Sequence, residues 1–176
     1  MAKSHQDDTN SACLKCEKEF AEAEVAVSVL WWVGYQKGDE PKTLHEQVVY
    51  RYCYPCGRTL DLQNMRVFQL DKVRFRLEGS IDLPEPKYIA TCGSCGRDVL
   101  EGKPYAILRV VLEFQQHGMA EELCEMFRWI YCSECAPRVD LDNIFVLEAE
   151  EPAHLLELAQ QLEREQIQET EKSQGD

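Results

Sequence analysis

Eight cysteines in four CxxC pairs carry the densest chemistry of this chain: Cys13/Cys16, Cys53/Cys56, Cys92/Cys95 and Cys132/Cys135. A CxxC turn is short enough to point both sulfurs at one ion, about 2.3 Å from each. Two such pairs supply four thiolates, the donor set of a closed structural zinc site. The spacing assigns Cys13, Cys16, Cys53 and Cys56 to one zinc and Cys92, Cys95, Cys132 and Cys135 to another, two Zn2+ per chain. The same sulfurs also suit rubredoxin-like iron or an iron–sulfur cluster. A redox CxxC needs one reactive pair at a helix start, and four matched pairs argue against it. A catalytic zinc needs an open coordination position, which four cysteines do not leave.

The pairs belong to an internal repeat. YCYPCGRTLDLQN, from Tyr52 to Asn64, recurs 79 positions later as YCSECAPRVDLDN, from Tyr131 to Asn143. All four CxxC pairs obey this shift, and both gaps between pairs are 36 residues long. Further identities hold the register, among them Glu22/Glu101, Leu44/Leu123, Asp61/Asp140, Leu62/Leu141 and Val67/Val146. A duplication is the economical account. The ninth cysteine, Cys124, stands where the first copy has His45. Both types bind metal, but a lone cysteine is more often a small buried apolar residue.

Each copy repeats one plan of elements. Val25–Tyr35 and Tyr105–Phe114 are dense in valine, isoleucine and aromatics, which favours strands. After a polar turn, Leu44–Tyr52 and Leu123–Tyr131 alternate like strands with one buried face. A short helix or turn follows each second CxxC, with Asp61 and Asp140 placed to cap it or to accept a backbone N–H near the thiolates. Final strands are expected at Met65–Leu70 and Ile144–Glu148. Arg66–Leu77 reads as one longer strand, with Lys72, Arg74 and Arg76 forming a basic stripe along one face.

The domain plan is then a disordered N-terminus at 1–12, zinc-binding repeat 1 at 13–78 and a linker at 79–91. Repeat 2 spans 92–150. A C-terminal amphipathic helix follows at 151–168, with Leu155, Leu158, Ala159 and Leu162 at helical spacing, and a disordered tail ends the chain at 169–176. The expected class is α+β and β-rich: two tandem four-cysteine zinc-binding units, each a β-hairpin with a short helix.

CLKC, a hairpin and YCYPCGRTLDLQN, then CGSC, a hairpin and YCSECAPRVDLDN, resemble the order of treble-clef zinc fingers, with zinc ribbons as the near alternative. The resemblance implies a knuckle, a hairpin and a second CxxC opening a short helix. It covers about two thirds of the chain, at the level of the fold. The hairpin here is longer than in many treble clefs. Such fingers mostly bind proteins or nucleic acids. A nuclease minority carries catalytic histidines beside the finger, and none is so placed here.

Charge narrows the partners. The chain carries 19 basic and 32 acidic residues, net −13, with nine cysteines. Repeat 1 is balanced, whereas the second half and tail are strongly acidic, a poor surface for phosphate backbones. Nucleic acid is therefore possible through repeat 1 alone. No apolar run reaches the roughly 18 residues of a membrane span, and no secretory signal opens the chain. The expectation is a cytoplasmic protein without a membrane, enzymatic or small-molecule role. It is an adaptor or assembly protein that works through protein contacts, with structural zincs. A nucleic-acid-binding regulator using the basic strand of repeat 1 is the alternative, and a thiol redox sensor a second one. Trp31 and Trp32, adjacent on one strand, cannot share a face, so one of them is a candidate partner contact, together with Lys72, Arg74 and Arg76.

Overall fold

The computed structural model describes residues 11–116 and 119–150. The expected C-terminal helix, the expected disordered tail, His117 and residues 1–10 of the expected disordered N-terminus lie outside the described residues; the last two residues of that N-terminus are ordered, Ser11 O accepting from Phe20 N and Ala12 bridging to Glu19. The architecture is β-rich. Its one α-helix has four residues, and three 3₁₀ turns complete the helical content among the described residues.

The two valine-rich runs form long hairpins. In repeat 1, β1 (Val25–Lys37) pairs with β2 (Glu40–Cys53). In repeat 2, β5 (Tyr105–Gln116) pairs with β6 (Met119–Cys132). The hairpins are not separate bodies. β1 and β5 pair antiparallel and make one four-stranded sheet in the order β2-β1-β5-β6. Leu30 faces Arg109 in that pairing, and these residues are themselves 79 apart. Two copies of one strand that pair through the same residue are related by a local two-fold there.

The segments after the second CxxC pairs repeat this relation. Arg66 and Phe145, again 79 apart, exchange both backbone hydrogen bonds, at 2.9 and 3.0 Å. Asp61 N donates to Leu147 O and Asp140 N to Phe68 O, an equivalent pair of contacts. Each repeat therefore lays its last segment across the other. Leu60, Leu62, Met65, Val139 and Ile144 are buried beneath this crossing, in one core with Val27, Val29, Leu108, Val110 and Leu112.

This crossing corrects three expectations. Met65–Leu70 and Ile144–Glu148 are not strands of their own sheets, and touch through isolated bridges. Arg66–Leu77 is not one long strand, because its backbone partners lie in repeat 2 and end at Leu70 and Arg74. Lys72, Arg74 and Arg76 consequently share no strand face. Arg74 is held by Asp140 and Asp142, both at 2.9 Å, since the acidic second half supplies carboxylates within reach. The expected linker 79–91 ends in structure: β3 (Tyr88–Thr91) pairs with β4 (Asp98–Leu100) around the third CxxC. In repeat 1 the described residues show the equivalent pairing at one bridge, Ala12 to Glu19.

Trp31 and Trp32 do point to opposite faces, but neither is free for a partner. They are 2% and 8% exposed. Trp31 packs on Tyr131 and Trp32 on Tyr105, with ring centroids 5.9 and 5.3 Å apart. Both tyrosines belong to repeat 2, so each indole seals the join between repeats. Trp32 Nε1 is satisfied by Thr43 Oγ1 at 2.8 Å.

The short helix α1 (Tyr54–Gly57), which carries Cys56, sits tightly on β1. A Cβ on Gly57 would stand 2.5 Å from Val27 Cγ2. Repeat 2 has the fully buried Ala136 and Ala106 at the equivalent positions, so a methyl gained on the turn goes with a smaller residue on the strand. Gly57→Ala is expected to cost about 1–3 kcal/mol through overpacking. In a cycle with Val27→Ala, denaturant melts should show favourable coupling of at least about 1 kcal/mol. Strictly additive costs would mean that this contact does not set the seating of α1.

Candidate metal centre

Each thiolate set is assembled from two kinds of local structure. A knuckle supplies the first pair. Cys13 N donates to Lys18 O and Glu17 N to Cys13 O, both at 2.8 Å, and Leu14 N then ties the knuckle to Arg51 O on β2. In repeat 2, Cys92 N bonds Arg97 O, Gly96 N bonds Cys92 O, and Gly93 N bonds Ile130 O on β6. The turn requires a left-handed residue after the second cysteine. Gly96 takes it at φ 72° without cost, whereas repeat 1 places Glu17 there at φ 59°. The second pair sits where an edge strand ends and a helical turn begins: Cys53 and Cys56 across α1, Cys132 and Cys135 before the 3₁₀ turn Ala136–Arg138.

These elements gather all eight cysteines as the spacing predicts. Within each set the four sulfurs lie within 4.8 Å of one another. Cys16 Sγ is 3.7 Å from Cys53 Sγ, and Cys95 Sγ is 3.7 Å from Cys132 Sγ. Four sulfurs about 2.3 Å from a central ion stand about 3.8 Å apart along a tetrahedral edge. No disulfide is present among the nine cysteines, all within the described residues. The two sets fit two metal ions, one at each end of the sheet.

The electrostatics suit a divalent cation. Burial raises the Cys13 thiol, but the backbone of Cys16, Cys53 and Lys15 directed at its sulfur brings it down to about 6. Cys92 is likewise raised by burial and brought down by backbone groups of Cys132, Cys95 and Ser94, to about 7. Cys56 and Cys135 move the other way. Burial, then the neighbouring thiols, push Cys56 up, and burial pushes Cys135 up to about 12. A bound cation would favour the thiolate form of the sulfurs in each set. Around the first set stand Lys15, bonded to Thr59 Oγ1 and Glu148, and Lys18, paired with Glu24. Around the second, Arg97 pairs with Glu134. Thus the Lys15 contact links the first knuckle to the crossing segment of repeat 2.

Asp61 and Asp140 make local contacts after the second CxxC pairs. Asp61 accepts the Asn64 N–H at 3.3 Å and caps the 3₁₀ turn Leu62–Asn64. Asp140 makes no such cap. It accepts instead from Asn143 Nδ2 at 2.8 Å and Arg74 Nη2 at 2.9 Å. Cys124 and His45 join neither sulfur set. Sequence reasoning missed Arg51, Ser28 and Glu113, a buried polar cluster beside the first centre. Arg51 Nη2 lies 2.7 Å from Glu113 Oε2, with both side chains under a tenth exposed, and Ser28 bonds the same carboxylate oxygen. Only the pairing of β1 with β5 brings Glu113 to Arg51, so no local pattern announces it. No protein-family model, curated protein or solved structure matches this chain.

Along the strands the second-pair cysteines are far apart. Cys53 is opposite Ala26 and Cys132 opposite Tyr105, which itself faces Gly34. Eight residues of β1 separate these levels, about 27 Å at strand rise. Metals in a shared catalytic pair stand about 3.5–4 Å apart, so the two centres cannot act as one.

Metal analysis of protein purified under reducing conditions should return two zinc ions per chain, and a Cys53→Ser or Cys132→Ser variant one or none. Removing structural zinc forfeits on the order of 10 kcal/mol of folding free energy. A strong chelator should therefore abolish the cooperative thermal transition. Metal-free protein with an unchanged melt would disprove the structural role.

Proposed function

We propose that this protein is a non-enzymatic zinc-binding adaptor or assembly protein whose two zincs are structural. The observation that carries this reading is the closure of both centres by four cysteines each. Tetrahedral zinc so ligated has no place for water or substrate. The matched hydrogen bonds under one 79-residue shift support a duplicated unit, read as treble-clef-like in its order of knuckle, hairpin and second CxxC.

Function in such a molecule resides on its surface. The crossing segments present one apolar ridge. Phe68 and Leu147 occupy equivalent positions on either side of the Arg66–Phe145 pair, and Phe68, Phe145 and Leu147 are 42–52% exposed. Side chains two apart on an extended segment share a face, so the three form a line across the local two-fold. Exposed aromatic and aliphatic residues grouped in this way favour a protein partner. Lys72 and Arg76 remain the features on which nucleic-acid contact would rest. The structural role of the thiolates makes redox sensing a consequence of damage to the fold.

The test is affinity purification of the zinc-loaded chain, with identification of what co-purifies. Phe68→Ser together with Phe145→Ser should weaken capture at least about tenfold, as for loss of a hot spot, with two zinc ions retained. Capture that survives this change but collapses when Lys72 and Arg76 are neutralised, with strong salt dependence, would replace the adaptor reading by nucleic-acid binding.

A further inference from the structure

The apolar ridge on the crossing segments is interrupted by one charge. Arg66 and Phe145 oppose each other and exchange both backbone hydrogen bonds. Opposed residues of an antiparallel pair send their side chains to one face. Met65 and Ile144, one step back along each segment, are buried, whereas Arg66 and Phe145 are exposed. Arg66 therefore rises from the ridge itself, beside Phe145. Asp142 and Glu148, the acids that flank the ridge, are already taken by Arg74 and Lys15. Among the described residues Arg66 has no ion pair.

A partner that covers Phe68, Phe145 and Leu147 must cover Arg66 as well. Burying a guanidinium without a counter-charge is strongly unfavourable. The partner must therefore bring a carboxylate to the middle of its apolar face. A second copy of this chain is a poor match, because its ridge carries the same arginine and its flanking acids are already paired. A nucleic acid gains affinity from several cations along its backbone, and the ridge offers one.

Spacing then sets the partner's pattern. Side chains two apart on an extended segment share a face and stand about 7 Å apart. Phe68 is one such step from Arg66 on one segment, and Leu147 is one step from Phe145 on the other. The segments run antiparallel, so these steps go in opposite directions from the Arg66–Phe145 pair. An extended peptide laid along the crossing presents its residues i, i+2 and i+4 at matching intervals. We propose that the ridge is the docking site for an extended segment of a partner protein that carries Asp or Glu with an apolar residue two positions away on each side. The carboxylate pairs with Arg66, and the apolar side chains lie on Phe68 and Leu147. The inference rests on the adaptor reading and adds the chemistry of the partner to it.

The experiment is selection from a random peptide library displayed on phage. The bait is the zinc-loaded full chain, and the counter-bait is the chain with Phe68→Ser and Phe145→Ser. Enriched peptides should carry an acid flanked at both second positions by apolar residues. With Arg66→Glu as bait, the preference at the acidic position should turn to Lys or Arg. For one selected peptide made synthetically, Arg66→Glu in the chain, or Gln for the acid in the peptide, should each weaken binding at least about tenfold, as for loss of one member of a covered charge pair. Zinc content should stay at two per chain in every variant, because all three substituted side chains are exposed. Peptides enriched without the acid, an unchanged selection on Arg66→Glu, or no enrichment over the counter-bait would overturn the proposal. A concentration-dependent dimer lost in the Phe68/Phe145 variant would make a second copy the cover instead. Arg66-dependent binding of a single-stranded oligonucleotide, tighter than that of the selected peptides, would replace the acidic segment by phosphate. Capture of a cellular partner that needs Phe68 and Phe145 but ignores Arg66→Glu would leave the adaptor reading standing and sink this inference alone.

Discussion

The antiparallel pairing of β1 with β5 is the interaction on which the rest of this molecule depends. A lone hairpin in water is marginal at best, and each repeat by itself would be one hairpin with a knuckle at its foot. Pairing through Leu30 and Arg109 turns two edges into the centre of a four-stranded sheet. Val27, Val29, Leu108, Val110, Val111 and Leu112 then lose all contact with solvent. The cover for that sheet is made from both repeats at once, because each crossing segment bonds to the other. One half could not keep its core dry without the other, although each holds its own thiolates.

The metal centres act at the ends of this plan. Each joins a knuckle, pinned to an edge strand by a single backbone bond, to the helical turn that follows that strand. Ion binding closes a loop of the length a small unit cannot close cheaply by apolar burial. Their placement leaves the sheet between them to be held by packing. The two halves differ where the symmetry is not needed. Arg51, Ser28 and Glu113 form a buried ionic cluster on one side of the two-fold. The equivalent positions on the other hold Ile130, Ile107 and Gly34. Two apolar side chains beside a bare glycine make the same sheet without an ion pair, in keeping with the modest net worth of buried pairs. The cluster therefore marks one side of the molecule as distinct while the backbone stays symmetric.

Much of the local structure is legible in the sequence. The four long strands follow from β-branched and aromatic density with alternation. The sulfur sets follow from four CxxC pairs, since a knuckle places its cysteines by local geometry alone. Asp61 reads correctly as a cap for the same reason. Failures occur where a residue's partner is in the other repeat. Arg66–Leu77 alternates as a strand would, yet its backbone partners are Phe145, Arg138 and Pro137, which bend it across the sheet. Arg74 reads as part of a free basic stripe until Asp140 and Asp142 arrive. Trp31 and Trp32 read as one residue too many for a single buried face, and a sheet covered on both faces at its centre has room for both.

By itself, then, the sequence determined the donor sets, the register of 79 residues and the hairpins, because each depends on residues close in the chain or on identical spacing. Tertiary structure decided that the two units share one sheet, that their last segments cross, and that both tryptophans lie inside. Those outcomes rest on which edge strand meets which. Any of the four hairpin strands carries the unpaired N–H and C=O groups for such a meeting, and only side-chain packing on both faces selects β1 against β5. The four CxxC pairs bring each unit to the point where it can fold, and the choice of edge makes the two units one molecule.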